Sequence, residues 1–160
     1  MAKLSLAGFS FGITSGIITT LGLLVGVYEG THSELAVIGA VLTIAVADAF
    51  SDSLGMHVST ESRVLKKVEI WRSTYSTFVA KFLIALTFAV PIFFMRLQDA
   101  VVADVAWGMS LLALLSYYIG RRQHEKPLHV VAEHLSIGAI VIVATYFLGI
   151  WIAGAFGSIA

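Results

Sequence analysis

The chain has 160 residues, of which 58% are hydrophobic and 12% charged, and its mean hydropathy is +0.92. This balance excludes an ordinary soluble domain, in which about 25% of residues are charged, and predicts an all-α integral membrane protein. The net charge of zero and the lack of a basic region argue against a nucleic-acid partner. The absence of cysteine excludes disulfides, thiolate metal ligands and a cysteine nucleophile. No linker divides the chain, so residues 1–160 are expected to form one transmembrane domain.

Five hydrophobic stretches are long enough to be transmembrane helices, since about 20 apolar residues cross a bilayer core of about 30 Å. In chain order they cover about 6–28, 35–57, 76–95, 100–119 and 127–151. A mixed basic and apolar pattern over about 58–75 predicts a short cytoplasmic amphipathic segment, which extends the second span or lies on the inner leaflet. Pro127 suits the first position of the fifth helix, because its missing N–H is not needed there.

The distribution of lysine and arginine predicts the orientation of these spans. All but one of these residues fall on the same side of the predicted membrane, and Arg96 is the exception. The residues on the populated side are Lys3, Arg63, Lys66, Lys67, Arg72, Lys81, Arg121, Arg122 and Lys126. Because basic residues are retained in the cytoplasm, this asymmetry predicts a cytoplasmic N-terminus and, after five spans, a C-terminus outside.

The first span contains two rows of glycine spaced four residues apart. The first row is Gly8, Gly12 and Gly16, and the second is Gly22 and Gly26. Such rows allow another helix to approach closely, so we expect this span to be buried in helix contacts. The hydroxyl residues between the rows, which include Ser15, either support this packing or face a hydrated path, and Ser15 is also a candidate member of a metal site.

The second span contains the main candidate site. Asp48, Asp52 and Met56 are spaced four apart, so a helix directs two carboxylates and a thioether to one side, with Ser51 alongside. A charge near the centre of a membrane helix costs roughly 2.5–3.5 kcal/mol, which favours a functional role in ion or proton movement. Carboxylate and thioether ligands together favour borderline divalent cations such as Mn²⁺ and Fe²⁺. The alternative is that both aspartates are neutral or paired, for example with Lys81.

Three further ionisable residues are candidates for the same path. Glu133, about six residues inside the fifth span, is expected at a depth similar to that of Asp52 and is a candidate metal ligand. His57 and Glu61 follow the second span and are candidates for cation entry from the cytoplasm. Asp104, close to the outer end of the fourth span, is expected to be solvated.

Two stretches resemble the vacuolar iron transporter family, a group of small divalent-metal carriers with five membrane helices. The glycine-rich residues 12–27 are similar to the family's first helix, and residues 47–61, with Ser53-Leu54-Gly55, are similar to its second helix. Glu133, Leu135 and Gly138 resemble its last helix more weakly. The chain differs where the family has an acid in the first helix, since Ser15 stands there, and where family members often have methionine, since Asp52 stands there.

The resemblance implies a homodimer that exports Fe²⁺ or Mn²⁺ from the cytoplasm in exchange for protons, through a site at the dimer axis. The metal would be cargo, with no permanently bound cofactor and no enzymatic activity. The short connection between the second and third spans predicts no separate cytoplasmic metal-binding region. The short chain without a long targeting extension favours a prokaryotic plasma membrane.

Two alternative functions remain open from the sequence. A non-transporting membrane subunit would use its buried charges to specify helix pairing. A passive cation channel would conduct without a proton gradient. A hydrolase is disfavoured, because two aspartates on one helix cannot flank a scissile bond from both sides.

Overall fold

The computed structural model describes residues 5–63 and 65–157, so Lys3 lies outside the described residues. These residues form six helices joined by short connections and contain no β-strand. In chain order the helices are α1 (Leu6–Thr31), α2 (Glu34–Glu61), α3 (Lys67–Thr87), α4 (Ala89–Phe94), α5 (Leu97–Arg122) and α6 (Pro127–Phe156). Five helical units, with α3 and α4 counted together as Lys67–Phe94, are long and apolar enough to cross a membrane. The prediction of five membrane-length helices is therefore confirmed.

The helix ends differ most from the prediction between the second and third spans. Of the two alternatives predicted for residues 58–75, the extension of the second span is found as far as Glu61, whereas the remainder is divided between a short connection and α3, which already begins at Lys67. The third span, predicted to be continuous over 76–95, is interrupted at Phe88. Pro91 explains the interruption, since it supplies no N–H to the preceding turn and its ring clashes with the carbonyl four residues earlier. Pro127 lies in the first turn of α6, as predicted.

Helix α1 is the central helix of the bundle and packs against α2, α3, α5 and α6. Its two glycine rows have different partners. A β-carbon on Gly12 would lie 2.6 Å from the Thr77 carbonyl oxygen of α3, and one on Gly22 would lie 2.9 Å from a Val141 methyl group of α6. The predicted close packing along both rows is confirmed.

The two ends of the bundle are packed differently. Toward the α1–α2 connection, the core is apolar, and Ile17, Leu21, Val41, Phe88 and Leu112 are among its members. Toward the α2–α3 connection, the contact between α1 and α3 is lined by hydroxyl groups. There Thr77 Oγ1 donates to the Gly8 carbonyl oxygen at 3.1 Å. A polar helix contact thus leads from this end of the bundle to the buried charges.

Candidate functional site

The site is centred on Lys81, a fully buried lysine of α3 whose side chain is 1% exposed. Its Nζ lies 2.5 Å from Asp48 Oδ2 and also donates a hydrogen bond to Asp52 Oδ2. The contact with Asp48 is an ion pair, and among the described residues Asp48 Oδ2 accepts no hydrogen bond. One ammonium group therefore contacts two carboxylates from successive turns of α2.

Ser15 connects this ion-paired group to α1. Lys81 Nζ donates to Ser15 Oγ at 2.8 Å, and Ser15 Oγ donates to Asp52 Oδ2 at 2.5 Å. The glycine row makes this possible, because Gly12 and Gly16 bring the α1 backbone against that of Lys81. The charge network, defined as Ser15, Asp48, Asp52 and Lys81, thus joins α1, α2 and α3.

The charge network carries a formal charge of −1 when every group is ionised. Its carboxylates are less buried than the lysine, with 24% of the Asp48 side chain and 21% of the Asp52 side chain exposed. Asp48 and Ser51 line an open groove of about 620 Å³ between α1 and α2. The other lining residues are Thr19, Leu23, Gly39, Ala40, Thr43, Ile44 and Ala47. The negative end of the network is therefore accessible from one side of the bundle.

The remaining residues proposed from the sequence are not assembled into this site. Glu133 is exposed on α6, a helix that packs against α1 and α5. His57 contacts α3 instead, with its Nδ1 3.0 Å from Thr74 Oγ1. Met56 is half-buried one turn beyond Asp52, and Glu61 is exposed at the last residue of α2.

The structure thus brings Ser15, Asp48 and Asp52 together, with Ser51 on the wall of the adjoining groove. The expectation of a third carboxylate, from Glu133, beside the two aspartates is wrong for this single chain, because α6 packs away from α2. Within residues 5–63 and 65–157, no group of three or more histidine, cysteine, aspartate or glutamate side chains is placed to hold a metal ion.

Asp104 is a buried acid, and the prediction that its side chain is solvated is wrong. It is 0% exposed, and neither carboxyl oxygen has a hydrogen-bond partner among the described residues. The sequence does contain a signal for this burial. Ala100 and Gly108 lie four residues to either side of Asp104, on a row that continues through Leu112 and Ser116 and is buried throughout α5.

Comparison of the chain with protein-family models gave no match, and comparison with curated protein sequences gave none. The functional assignment therefore depends on the geometry of the charge network and on its position in the helices.

Proposed function

We propose that this protein is a transporter of divalent cations, Fe²⁺ or Mn²⁺, with Asp48 and Asp52 as the cation ligands. The observation that carries the proposal is the imbalance of charge in the network: two carboxylates share one ammonium group between helices long enough to cross a membrane. A structural ion pair needs one acid for one base. A second acid costs several kcal/mol at this depth unless a cation or a proton neutralises it, and both are exchanged in the proposed cycle.

The groove beside Asp48 is the proposed release route. Its lining on α2 runs from Ser51 back to Gly39, toward the α1–α2 connection, which is the outer side in the predicted topology, while Lys81 remains enclosed. Ser51 contributes a hydroxyl group to its wall, and a partly hydrated cation fits a site made of oxygen atoms. Met56, one turn from Asp52, would favour Mn²⁺ or Fe²⁺ over Mg²⁺ if its thioether approached the cation.

We propose export as the direction of transport, as the resemblance to the vacuolar iron transporter family implies. With the N-terminus in the cytoplasm, the α2–α3 connection and Glu61 are also on the cytoplasmic side, so cations would enter from there. Protons and metal ions compete for the same carboxylate oxygens, so protonation from the opposite side would release the cation. The proposed activity is proton-coupled export across a plasma membrane.

A homodimer formed through α2 is part of the proposal. Gly39, Thr43, Ala47, Ser51 and Gly55 form a row of small residues at spacing four along α2, and a β-carbon on Gly39 or Gly55 would meet no atom within 4 Å. The comparable glycine rows of α1 are covered by α3 and α6. A second copy covering this row would shield Asp48 from lipid and bring four carboxylates to the two-fold axis.

The bonding of Lys81 also favours a second candidate function, a structural subunit without transport. All three partners of its ammonium group come from neighbouring helices, as expected if the charges specify helix pairing. A charge exchange separates the two functions. The double variant Asp52→Lys with Lys81→Asp should retain a structural role but abolish cation transport.

The test of the proposed function is Mn²⁺ and Fe²⁺ flux in liposomes that contain the purified protein, with and without a pH gradient. Wild type is compared with Asp48→Asn, Asp52→Asn and the matched control Asp99→Asn, which alters an exposed acid at the start of α5. Flux that requires both network aspartates and responds to the gradient supports proton-coupled transport. Flux that ignores the gradient indicates a channel. No wild-type flux under any gradient would overturn the proposal.

A further inference from the structure

We infer that Lys81 is a tethered counter-cation, which occupies the cation site when no substrate is bound and is displaced when substrate binds. This inference rests on the proposed function. It gives Lys81 a role in the return of the unloaded carrier. Cation binding by Asp48 and Asp52 does not explain this step of the transport cycle.

The position of the ammonium group carries the inference. Lys81 Nζ contacts one oxygen of Asp48 and one oxygen of Asp52, where a cation held by both carboxylates would also lie. Two positive charges a few ångströms apart in a partly buried site repel each other strongly. The ammonium group and a divalent cation therefore exclude one another from the space between the carboxylates.

The surroundings of Lys81 allow it to move aside. The groups that face its ammonium are the two carboxylates of α2 and the Ser15 hydroxyl of α1. Ser15 is an acceptor that the ammonium can keep after it leaves the carboxylates. The inferred displacement uses the four-carbon stem of lysine, which is flexible and can carry the ammonium group away from the carboxylates.

The energetic need for a tethered cation arises after the substrate has left. The proton that releases the cation neutralises one carboxylate, and the other would remain as an unpaired charge in the membrane, which would hinder any rearrangement of the empty carrier. With Lys81 beside it, the protonated, unloaded site carries no net charge. A carrier without this ammonium group should bind and exchange cations but return slowly when empty.

The test separates exchange from net transport in liposomes, using radiolabelled Mn²⁺ on one side. Exchange is measured with unlabelled Mn²⁺ on the opposite side of the membrane. Net flux is measured with no Mn²⁺ on that side. In Lys81→Gln, we expect net flux to fall at least about tenfold while exchange stays within about threefold of wild type. Lys67→Gln, which alters an exposed lysine on the same helix, is the matched control and should change neither rate.

Each outcome has a defined meaning. Wild type that shows neither exchange nor net flux would overturn the proposed function. An active wild type together with an unimpaired net flux in Lys81→Gln would overturn the inference alone. Loss of exchange along with net flux in a folded Lys81→Gln protein would also overturn it, because Lys81 would then be needed for binding itself.

A second variant keeps the inference testable if Lys81→Gln does not fold. Lys81→Arg retains the charge, and its planar guanidinium can hold carboxylates with two parallel hydrogen bonds. A stronger competitor should raise the half-saturating Mn²⁺ concentration of net flux by about threefold or more. An unchanged half-saturating concentration in a folded Lys81→Arg protein would contradict competition at the site.

Discussion

Replacement of Gly12 by alanine should destabilise the protein, although alanine is the better helix former. A β-carbon at this position would lie 2.6 Å from the Thr77 carbonyl oxygen, 3.0 Å from the Ala80 side chain and 3.2 Å from the Lys81 backbone nitrogen. A flexible side chain could move away from such a contact, but a backbone carbonyl within α3 cannot. The two helices must therefore separate by several tenths of an ångström along their contact.

The expected magnitude follows from two opposing effects. Overpacking of a well-packed contact costs typically about 1–3 kcal/mol. The higher helix propensity of alanine returns about 0.5–1 kcal/mol. The net loss should be about 0–2.5 kcal/mol, with the full cost of about 1–3 kcal/mol seen against an alanine control that has the same helix propensity, and each kcal/mol corresponds to about 2–4 °C in melting temperature for a chain of this size. Separation of α1 from α3 would also pull Ser15 away from Lys81 and is expected to slow the proposed transport.

Thermal unfolding of the purified protein in detergent, followed by tryptophan fluorescence, measures this effect. Gly154→Ala is the matched control, because a β-carbon on Gly154 meets no atom within 4 Å. The control should melt at or slightly above the wild-type temperature. If Gly12→Ala melted as high as Gly154→Ala, the close approach of the α1 and α3 backbones would be refuted.

Three further predictions test other parts of the structure. Asp104→Val should raise the melting temperature, since it removes a buried carboxyl group whose lack of partners costs about 1–3 kcal/mol; a lower melting temperature would show that Asp104 has a stabilising partner. Because the chain has no cysteine, Lys66→Cys should react with an impermeant thiol reagent only from the cytoplasmic side and Gln98→Cys only from outside, and the reverse pattern would invert the topology. Gly55→Cys should form disulfide-linked dimers in membranes, whereas Val102→Cys on the exposed face of α5 should not; equal cross-linking would argue against a dimer formed through α2.

Hydropathy predicted the number of long helices well but their ends less well. It identifies the residues that suit a bilayer, whereas a helix continues for as long as its backbone hydrogen bonds are favourable. The charged residues after position 57 and before position 76 are unsuited to the bilayer interior, yet they continue α2 to Glu61 and begin α3 at Lys67. The break at Phe88 depends on Pro91. A hydropathy value averaged over many residues does not show the effect of a single proline on a helix.

The sequence predicted the α2 side of the candidate site but did not determine which residues of other helices contact the two aspartates. The four-residue spacing of Asp48 and Asp52 required them to share a side of α2. The partner of these acids depends on the packing of α1 against α3, which no property of α2 specifies. The row Ser73, Thr77, Lys81 and Ala85 is buried along α3, so small neighbours at spacing four marked Lys81 as a buried residue, just as they marked Asp104.

The different surroundings of the acids explain why Asp48 and Asp52, and not Asp104, are the ligands in the proposed function. All three acids lie within membrane-length helices, but Asp104 is enclosed on every side and lines none of the described grooves. Asp48 faces an open groove on one side and a positively charged group on the other. In the proposed mechanism the cation leaves through such an opening and another positive charge takes its place. The groove beside Asp48 and the ammonium group of Lys81 are the features that support these two steps.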